Sequence, residues 1–364
     1  MMAVDGPLLV VDDHYERKPR AVMAPTRSRG RLRKTLQYVL GLVAGGVAMY
    51  VLLGRTGELS GAAAALSHVN LAWVAVAASA ELAAMLAYAS VQYRMLRVGG
   101  VDVGLGAVAV ITFAAYSIQN SLPAGPAWSA VFAFREYRRR GADRVVATWS
   151  LAVVSVLSGV SLAAIALVGT VVARGQASSL GLAWIVMAVA ALAALLGFAV
   201  HRTMHGEGVP GQLVRVVRRV QRILHWPKGD VTPSLEEALD RLRAVAPRGR
   251  DWVAGAGLAA ANWGFDCACL AIAFVALGAP VPWRGLLLAY GGGQLAANLP
   301  ITPGGLGVVE GSLTIALVYY GGTSAATVAA VLLYRIISFW ALLPLGWTGL
   351  LALRVRGRRL EVQA

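Results

Sequence analysis

Two short motifs decide the fold: residues 122–126 read LPAGP and residues 299–303 read LPITP, 177 positions later in a chain of 364 residues. Each motif interrupts an apolar segment, and two closely spaced prolines break an α-helix. The arms on either side are short for crossing about 30 Å of hydrocarbon. The sequence therefore predicts two Pro-broken helix pairs that only partly cross a membrane. Two independent proline kinks, which membrane helices tolerate, are the alternative interpretation.

The segments around these motifs have the composition of an α-helical membrane protein. Apolar residues make up 58% of the chain and charged residues only 14%. Six apolar stretches approach or exceed the roughly 20 residues that a transmembrane helix needs. They are 36–54, 71–91, 145–173, 180–200, 252–278 and 324–353. We predict an all-α polytopic membrane protein with six full spans and two re-entrant broken-helix hairpins.

The distribution of the 33 lysines and arginines predicts the orientation of the chain. Of these, 29 lie before the first span, in 92–102, in 135–144, in 201–250 or after residue 353. Cationic loops stay in the cytoplasm, so both termini are predicted to face the cytoplasm at a bacterial-type plasma membrane. The first hairpin then enters from the cytoplasmic face and the second from the outer face. A net charge of +15 spread in this way does not indicate nucleic-acid binding.

The order of the segments predicts an internal repeat. Residues 36–173 and 180–353 each contain two spans, a hairpin and a third span, and the halves begin on opposite sides of the membrane. Inverted repeats with broken helices are typical of transporters. The single transmembrane domain, 35–353, is expected to lie between a disordered basic cytoplasmic arm, 1–34, and a cytoplasmic tail, 354–364.

The cytoplasmic loop 201–250 contains a predicted amphipathic helix. Apolar residues recur at helical spacing between Leu213 and Leu224, and arginines fill most of the other positions. A basic amphipathic helix of this kind binds an anionic membrane surface. A solvated helix packed on the protein is the alternative that the sequence leaves open.

Four ionisable residues lie well inside apolar segments: Glu81, Asp266, Glu310 and Arg335. An ionisable side chain at the centre of a membrane helix costs on the order of 3 kcal/mol, so each is expected to face protein or water. Arg335 is the one cation among them, and we expect it to pair with Glu310. The pair is interpreted either as an ion pair that stabilises the fold or as part of a site that meets a charged headgroup.

Pro303, Gly304 and Gly305 open a short predicted helix after the second break. Backbone N–H groups at a helix N-terminus attract anions, and glycine lets a phosphate approach closely. Tight packing of short helices is the alternative reason for these glycines. Further polar contacts at the breaks, to a headgroup or to freed backbone groups, are expected from Asn120, Asn298 and Thr302. The sequence indicates no cofactor or metal site.

Residues 298–310, NLPITPGGLGVVE, with LLYR at 332–335 and Phe339-Trp340, resemble the lysylphosphatidylglycerol synthase transmembrane-region family. The resemblance covers roughly 36–353 and implies a flippase-like, lipid-handling membrane domain. The functional positions that it implies are Pro303, Gly304, Gly305, Glu310 and Arg335. The polar pairs that the family often has in the first hairpin and the following span are absent, and only Arg135 is retained. The first hairpin is expected to have lost a polar role or to contact a different headgroup.

These observations predict a protein that translocates or binds a phospholipid or a polyprenyl-phosphate-linked lipid through a polar site near the membrane midplane. The predicted partners are anionic lipid headgroups, with envelope-synthesis enzymes as further candidates. A membrane transferase is one alternative, but it is expected to have paired carboxylates at the membrane edge, and the carboxyl groups here are dispersed along the sequence. A non-catalytic accessory or scaffold is the other. Because no synthase domain follows the last span, a transporter is expected rather than an enzyme.

Overall fold

The computed structural model describes residues 66–122, 124–173, 241, 245, 247–297 and 303–363. Several predictions concern residues outside this part of the chain and stay predictions. They are the basic arm 1–34, the spans 36–54 and 180–200, the amphipathic segment of the 201–250 loop, and the motif residues Pro123, Asn298 and Thr302.

All regular structure in the described residues is helical. The helices are α1 (Leu71–Val98), α2 (Leu105–Ser121), α3 (Gly125–Arg139), α4 (Arg144–Val172), α5 (Gly249–Ala276), α6 (Trp283–Ala297), α7 (Val308–Tyr319), α8 (Ser324–Arg335) and α9 (Leu342–Gln363). A 3₁₀ turn, Pro303–Gly305, precedes α7, and a π-helical turn, Ile336–Trp340, joins α8 to α9.

Four stretches of the described chain are long and apolar enough to cross a membrane: α1, α4, α5 and Ser324–Val355. They coincide with four of the six predicted spans, and the prediction of an all-α membrane protein is confirmed. Side-chain caps fix the first turn of two of these helices. Asn70 Oδ1 accepts from the N–H of Ala72 at 3.0 Å at the start of α1, and Asp143 Oδ1 accepts from the N–H of Val146 at 2.8 Å at the start of α4.

The first break reverses the chain between α2 and α3. Gly125 is required there, because a Cβ at this position would collide with the carbonyl oxygen of Gln119. α3 continues to Arg139, into the cationic stretch 135–144. The extension is stabilised by Glu136, whose carboxylate oxygens lie 2.8 Å from Arg139 Nη1 and 2.6 Å from Arg140 Nη1. Such pairs, three and four positions apart, lie on one face of a helix.

The second break delays the start of the following helix. α7 begins at Val308, after Pro303–Gly305, where the sequence predicts the helix to open. Gly304, Gly305 and Gly307 have φ angles of 62°, 66° and 80°, in the left-handed region that favours glycine. Since no α-helix forms through these positions, the helical arm after the break is shorter than predicted.

The same offset of 177 residues relates the two LPxxP motifs and several of the helices around them. Adding 177 to the bounds of α1, α2 and α4 gives 248–275, 282–298 and 321–349, close to α5, α6 and Ser324–Val355. Gly169 in α4 and Gly346 in α9 are also 177 residues apart. A Cβ on Gly169 would collide with the backbone of α6 at Leu288, and one on Gly346 with the backbone of α2 at Phe113. α4 thus packs closely against α6, and α9 packs closely against α2.

The packing brings the two breaks next to each other. The 3₁₀ turn contacts α2, and a Cβ on Gly304 would lie 3.3 Å from the carbonyl oxygen of Asn120, near the end of that helix. α1 and α5 share the most extensive helix–helix contact of the described residues. The largest apolar core cluster joins α5 with α6, α7 and α8. Charged and polar side chains lie among these packed helices.

Candidate functional site

Arg335 and Glu310 form a buried ion pair, as the sequence predicts. Arg335 Nε lies 2.6 Å from Glu310 Oε1, and the two side chains are 10% and 9% exposed. Arg335 Nη2 donates to the carbonyl oxygen of Gly304 at 3.0 Å. The guanidinium carbon lies 4.4 Å from the centre of the Phe339 ring, within cation–π range. These three contacts orient the guanidinium, while its Nη1 has no hydrogen-bond acceptor among the described residues.

Glu310 caps α7 at the same time as it holds the cation. Its Oε2 accepts a hydrogen bond from the N–H of Gly307 at 2.7 Å. A carboxylate is favoured at a helix N-terminus, where unpaired N–H groups carry a partial positive charge. The Gly307 N–H is therefore already used within the protein.

Gly304 lies between the two breaks, in close contact with the side chain of Phe339. Its φ angle of 62° favours glycine, and a Cβ at this position would collide with the ring of Phe339. The side-chain amide of Asn120 donates to the carbonyl oxygen of Tyr116 at 2.9 Å, so it satisfies the backbone of its own helix. A larger residue at 304 would displace the ring on which Arg335 is stacked.

The π-helical turn that follows Arg335 was not predicted from the sequence. It opens the helix between Ile336 and Trp340. Here the hydroxyl of Tyr116 donates to the carbonyl oxygen of Ser338 at 2.5 Å, which ties α2 to the last span. π-helical turns are frequent at functional sites because they redirect side chains and free backbone groups.

Asp266 on α5 is the centre of a second polar group. Its Oδ2 accepts from the hydroxyl of Tyr290 at 2.8 Å and from Gln294 Nε2 at 3.2 Å, and its Oδ1 accepts from the hydroxyl of Tyr334 at 2.8 Å. Gln294 Nε2 also lies 3.0 Å from the Tyr334 oxygen. Both carboxylate oxygens thus accept hydrogen bonds, as a buried carboxylate requires. Tyr334 precedes Arg335 in the chain and links this group to the ion pair.

Glu81 on α1 brings a second carboxyl group against Asp266, within hydrogen-bonding reach. Glu81 is 5% exposed, and no described residue donates a hydrogen bond to its Oε2. These two carboxyl groups are dispersed along the sequence but adjacent in the structure. Contact between α1 and α5 brings together two residues that are 185 positions apart in the chain.

Sequence reasoning found the four charged residues of the cluster but missed the neutral ones that connect them. These are Tyr116, Tyr290, Gln294 and Tyr334. A signal was available in α6, where Tyr290 and Gln294 are four positions apart on one face and the other residues of 285–297 are glycine or apolar. Tyr334 lies within the LLYR motif at 332–335, whereas Tyr116 has no comparable pattern.

The remaining predicted site residues lie at the margin of the cluster. Arg135 is exposed on α3 and takes no part in the hydrogen bonds that connect the cluster. Gly305 packs against Val309 and Ala297, and Pro303 begins the 3₁₀ turn. The structure thus brings together Glu81, Asp266, Gly304, Glu310 and Arg335, with Asn120 beside Gly304.

Helical architecture and a buried charged cluster define a multi-pass α-helical membrane protein. The family described as "Lysylphosphatidylglycerol synthase TM region" matches residues 38–346, and the chain belongs to this family. This match confirms the resemblance carried by residues 298–310 and 332–340. A UPF0104 membrane protein from Methanothermobacter thermautotrophicus is 26% identical over 142 residues. The match covers 39% of this chain and 42% of that relative, so less than half of the relative is represented.

Proposed function

We propose that the protein is a flippase-like translocase that binds a phosphate-bearing lipid headgroup at Arg335 and moves it between the membrane leaflets. The observation that carries the proposal is the geometry of Arg335. Its guanidinium is buried and held by Glu310, Gly304 and Phe339, while Nη1 has no acceptor among the described residues. Guanidinium N–H groups match phosphate oxygens in charge and geometry. A phosphate at Nη1 meets a donor that is already oriented.

The substrate class is a lipid phosphate, either a phospholipid or a polyprenyl-phosphate-linked lipid. Both combine a phosphate ester with apolar chains that stay in the hydrocarbon of the bilayer. The phosphate needs a polar path across the membrane, and charge interactions along such a buried path are weakly screened. Family membership supports a lipid-related role, because the family is described by a lipid synthase.

The proposed movement relies on six full spans, two re-entrant hairpins and an inverted repeat with both termini in the cytoplasm. The offset of 177 residues between corresponding helices and the equivalent contacts of Gly169 and Gly346 support the repeat. In transporters of this kind, two halves rock about a site where their broken helices meet. Arg335 contacts Gly304, and Gly304 lies beside Asn120 at the other break. The cation is thus placed where such rocking exposes it to each side in turn.

A membrane transferase is the second candidate, and the paired carboxyl groups of Glu81 and Asp266 are the observation that favours it. A transferase needs its carboxylates at the membrane edge, in reach of a polar substrate. Glu81 is 5% exposed and lies ten residues from the start of α1, far from either end of that helix. The location of the pair therefore favours the translocase.

The test is lipid movement in vesicles that contain the purified protein. Fluorescent phosphatidylglycerol and a fluorescent polyprenyl phosphate are used in separate arms, and a fluorescent diacylglycerol that lacks phosphate is the control lipid. Loss of fluorescence to a membrane-impermeant quencher reports the outer leaflet. We expect protein-dependent movement in at least one phosphate arm, and mass spectrometry of co-purified lipid should identify the same class. Protein-containing vesicles that match empty ones in both arms would refute the proposal.

A further inference from the structure

The carboxyl pair of Glu81 and Asp266 is not needed to hold Arg335, whose carboxylate partner is Glu310. An ionised carboxylate only accepts hydrogen bonds, so two ionised carboxylates cannot hydrogen-bond to each other. Their contact requires one shared proton. Side by side in an apolar interior, two negative charges also repel strongly. The pair therefore holds one proton between two oxygen-bearing side chains.

The hydrogen bonds locate this proton on Glu81. Both oxygens of Asp266 accept from Tyr290, Gln294 or Tyr334, which is the pattern of an ionised carboxylate. Oε2 of Glu81 is buried and receives no hydrogen bond from a described residue. A buried carboxyl oxygen that accepts no hydrogen bond favours the neutral form of its group.

The two residues of the pair differ in exposure. Glu81 is 5% exposed, whereas Asp266 is only partly buried. Asp266 is thus the more exposed residue of the pair among the described residues. Chains of intramembrane carboxyl groups and histidines are typical proton paths in transporters.

We propose that Glu81 and Asp266 form a proton-binding site that couples lipid movement to a proton gradient. The inference rests on the proposed function and adds its energy source. One proton binds from the water on one side of the membrane and is released to the other side, with no covalent bond formed or broken.

The charges of the cluster give the direction of the coupling. With Glu81 neutral, Asp266 and Glu310 together carry two negative charges against the one positive charge of Arg335. A phosphodiester adds a further negative charge, and an ionised Glu81 would add yet another. Arg335 acts electrostatically on Asp266, so a change of charge at the pair is felt at the guanidinium. Proton binding and phosphate binding therefore favour each other, and by linkage the effect is reciprocal.

No other titratable group described near the pair exchanges a proton in the physiological pH range. The titratable and charged groups that face it are Cys267 and Cys269 on α5, Tyr290 on α6, Tyr334 and Arg335 on α8, and Tyr116 on α2. The tyrosines and cysteines are neutral over the physiological pH range, and Arg335 is always charged. Among the described residues, the exchangeable proton thus belongs to the two carboxyl groups.

The first test detects the proton itself in the purified protein by infrared spectroscopy. We expect a carbonyl band of a protonated carboxylic acid at neutral pH, which shifts in D₂O and is lost in Glu81→Gln. Glutamine has the shape of a protonated glutamate and keeps an N–H donor toward Asp266, so this variant should fold. Glu136→Gln is the control, because Glu136 forms ion pairs with Arg139 and Arg140 and belongs to no part of the carboxyl pair; its spectrum should keep the band. A band that is absent from the wild type, or that persists in Glu81→Gln, would overturn the proton site.

The second test measures coupling through binding of a short-chain phosphatidylglycerol. Its apparent affinity for the wild type should fall at least about fivefold as the pH is raised and Glu81 ionises. In Glu81→Gln the affinity should change much less over the same range, whereas Glu136→Gln should follow the wild type. Equal pH dependence in wild type and Glu81→Gln would reject the coupling. Failure of lipid movement in vesicles, with the infrared band present, would reject the proposed function and leave the proton site in place.

Discussion

Removing one partner of the Arg335–Glu310 pair should destabilise the protein more than removing both. Two unit charges about 4 Å apart attract by about 4 kcal/mol at an effective dielectric constant of about 20. Breaking a buried pair at one end typically costs about 3–5 kcal/mol, because the other charge stays buried without compensation. In Glu310→Gln the amide oxygen still accepts from the Gly307 N–H, so the loss reports the charge rather than the helix cap. Arg335→Met leaves the Glu310 carboxylate without its cation.

The double variant Glu310→Gln/Arg335→Met contains neither charge. We expect a coupling energy of about 2–3 kcal/mol between the two substitutions, within the range seen for residues in contact. Unfolding free energies in mixed detergent micelles, with increasing denaturing detergent, measure all three variants. The control cycle is Arg94→Met with Asp251→Asn, a pair 3.1 Å apart in which Arg94 is 36% exposed, so its coupling should stay below about 1 kcal/mol. Additive effects at Arg335 and Glu310 would refute the argument that the ion pair is a buried, mutually dependent unit.

Three further predictions concern packing, orientation and the basic loop. Gly169→Ala and Gly346→Ala each press a Cβ against backbone and should lower the unfolding free energy by about 1–3 kcal/mol. Gly159→Ala in α4 meets open space and should be neutral or stabilising by up to about 1 kcal/mol; similar effects for all three would contradict the close contacts. A single cysteine at Arg139, in a background without Cys267 and Cys269, should react in intact cells only with membrane-permeant reagents. Labelling by an impermeant reagent would place the first hairpin on the outer face. A peptide of residues 211–227 should bind anionic vesicles and lose about 1 kcal/mol for each of the four arginines at 215, 218, 219 and 222 replaced by glutamine. Equal binding of the unmodified peptide to neutral vesicles would reject the electrostatic attraction.

The sequence predicts the parts of the site that depend on the cost of charge in a membrane. Glu310 and Arg335 stand out in apolar segments, and their pairing follows because the interior offers no other cation nearby. The contact between Glu81 and Asp266 does not follow from the sequence, since it depends on how α1 packs on α5. The position of a residue in the sequence does not show which side chain its buried carboxyl group contacts.

Local backbone conformation at the second break and after Arg335 was also not predictable from the sequence. The two LPxxP motifs locate the breaks, but the bounds of α7 depend on three glycines with positive φ, and these also fit a helix start in sequence. The π-helical turn after Arg335 has no proline or glycine within residues 336–340 to mark it. Its stability comes from tertiary contacts such as the hydrogen bond from Tyr116 to Ser338, which act only once the helices have packed.

The most direct measurement compares lipid movement by the wild type, Arg335→Gln and Arg284→Gln in vesicles with equal amounts of folded protein. Arg284 is exposed at the start of α6, so its replacement removes one arginine without touching the buried cluster. Fluorescence-detected gel filtration and thermal unfolding confirm that each variant is folded before reconstitution. We expect Arg284→Gln to move the phosphate-bearing lipid at the wild-type rate and Arg335→Gln to fall to the rate of empty vesicles. A well-folded Arg335→Gln protein that moves the lipid as fast as the wild type would contradict the central claim.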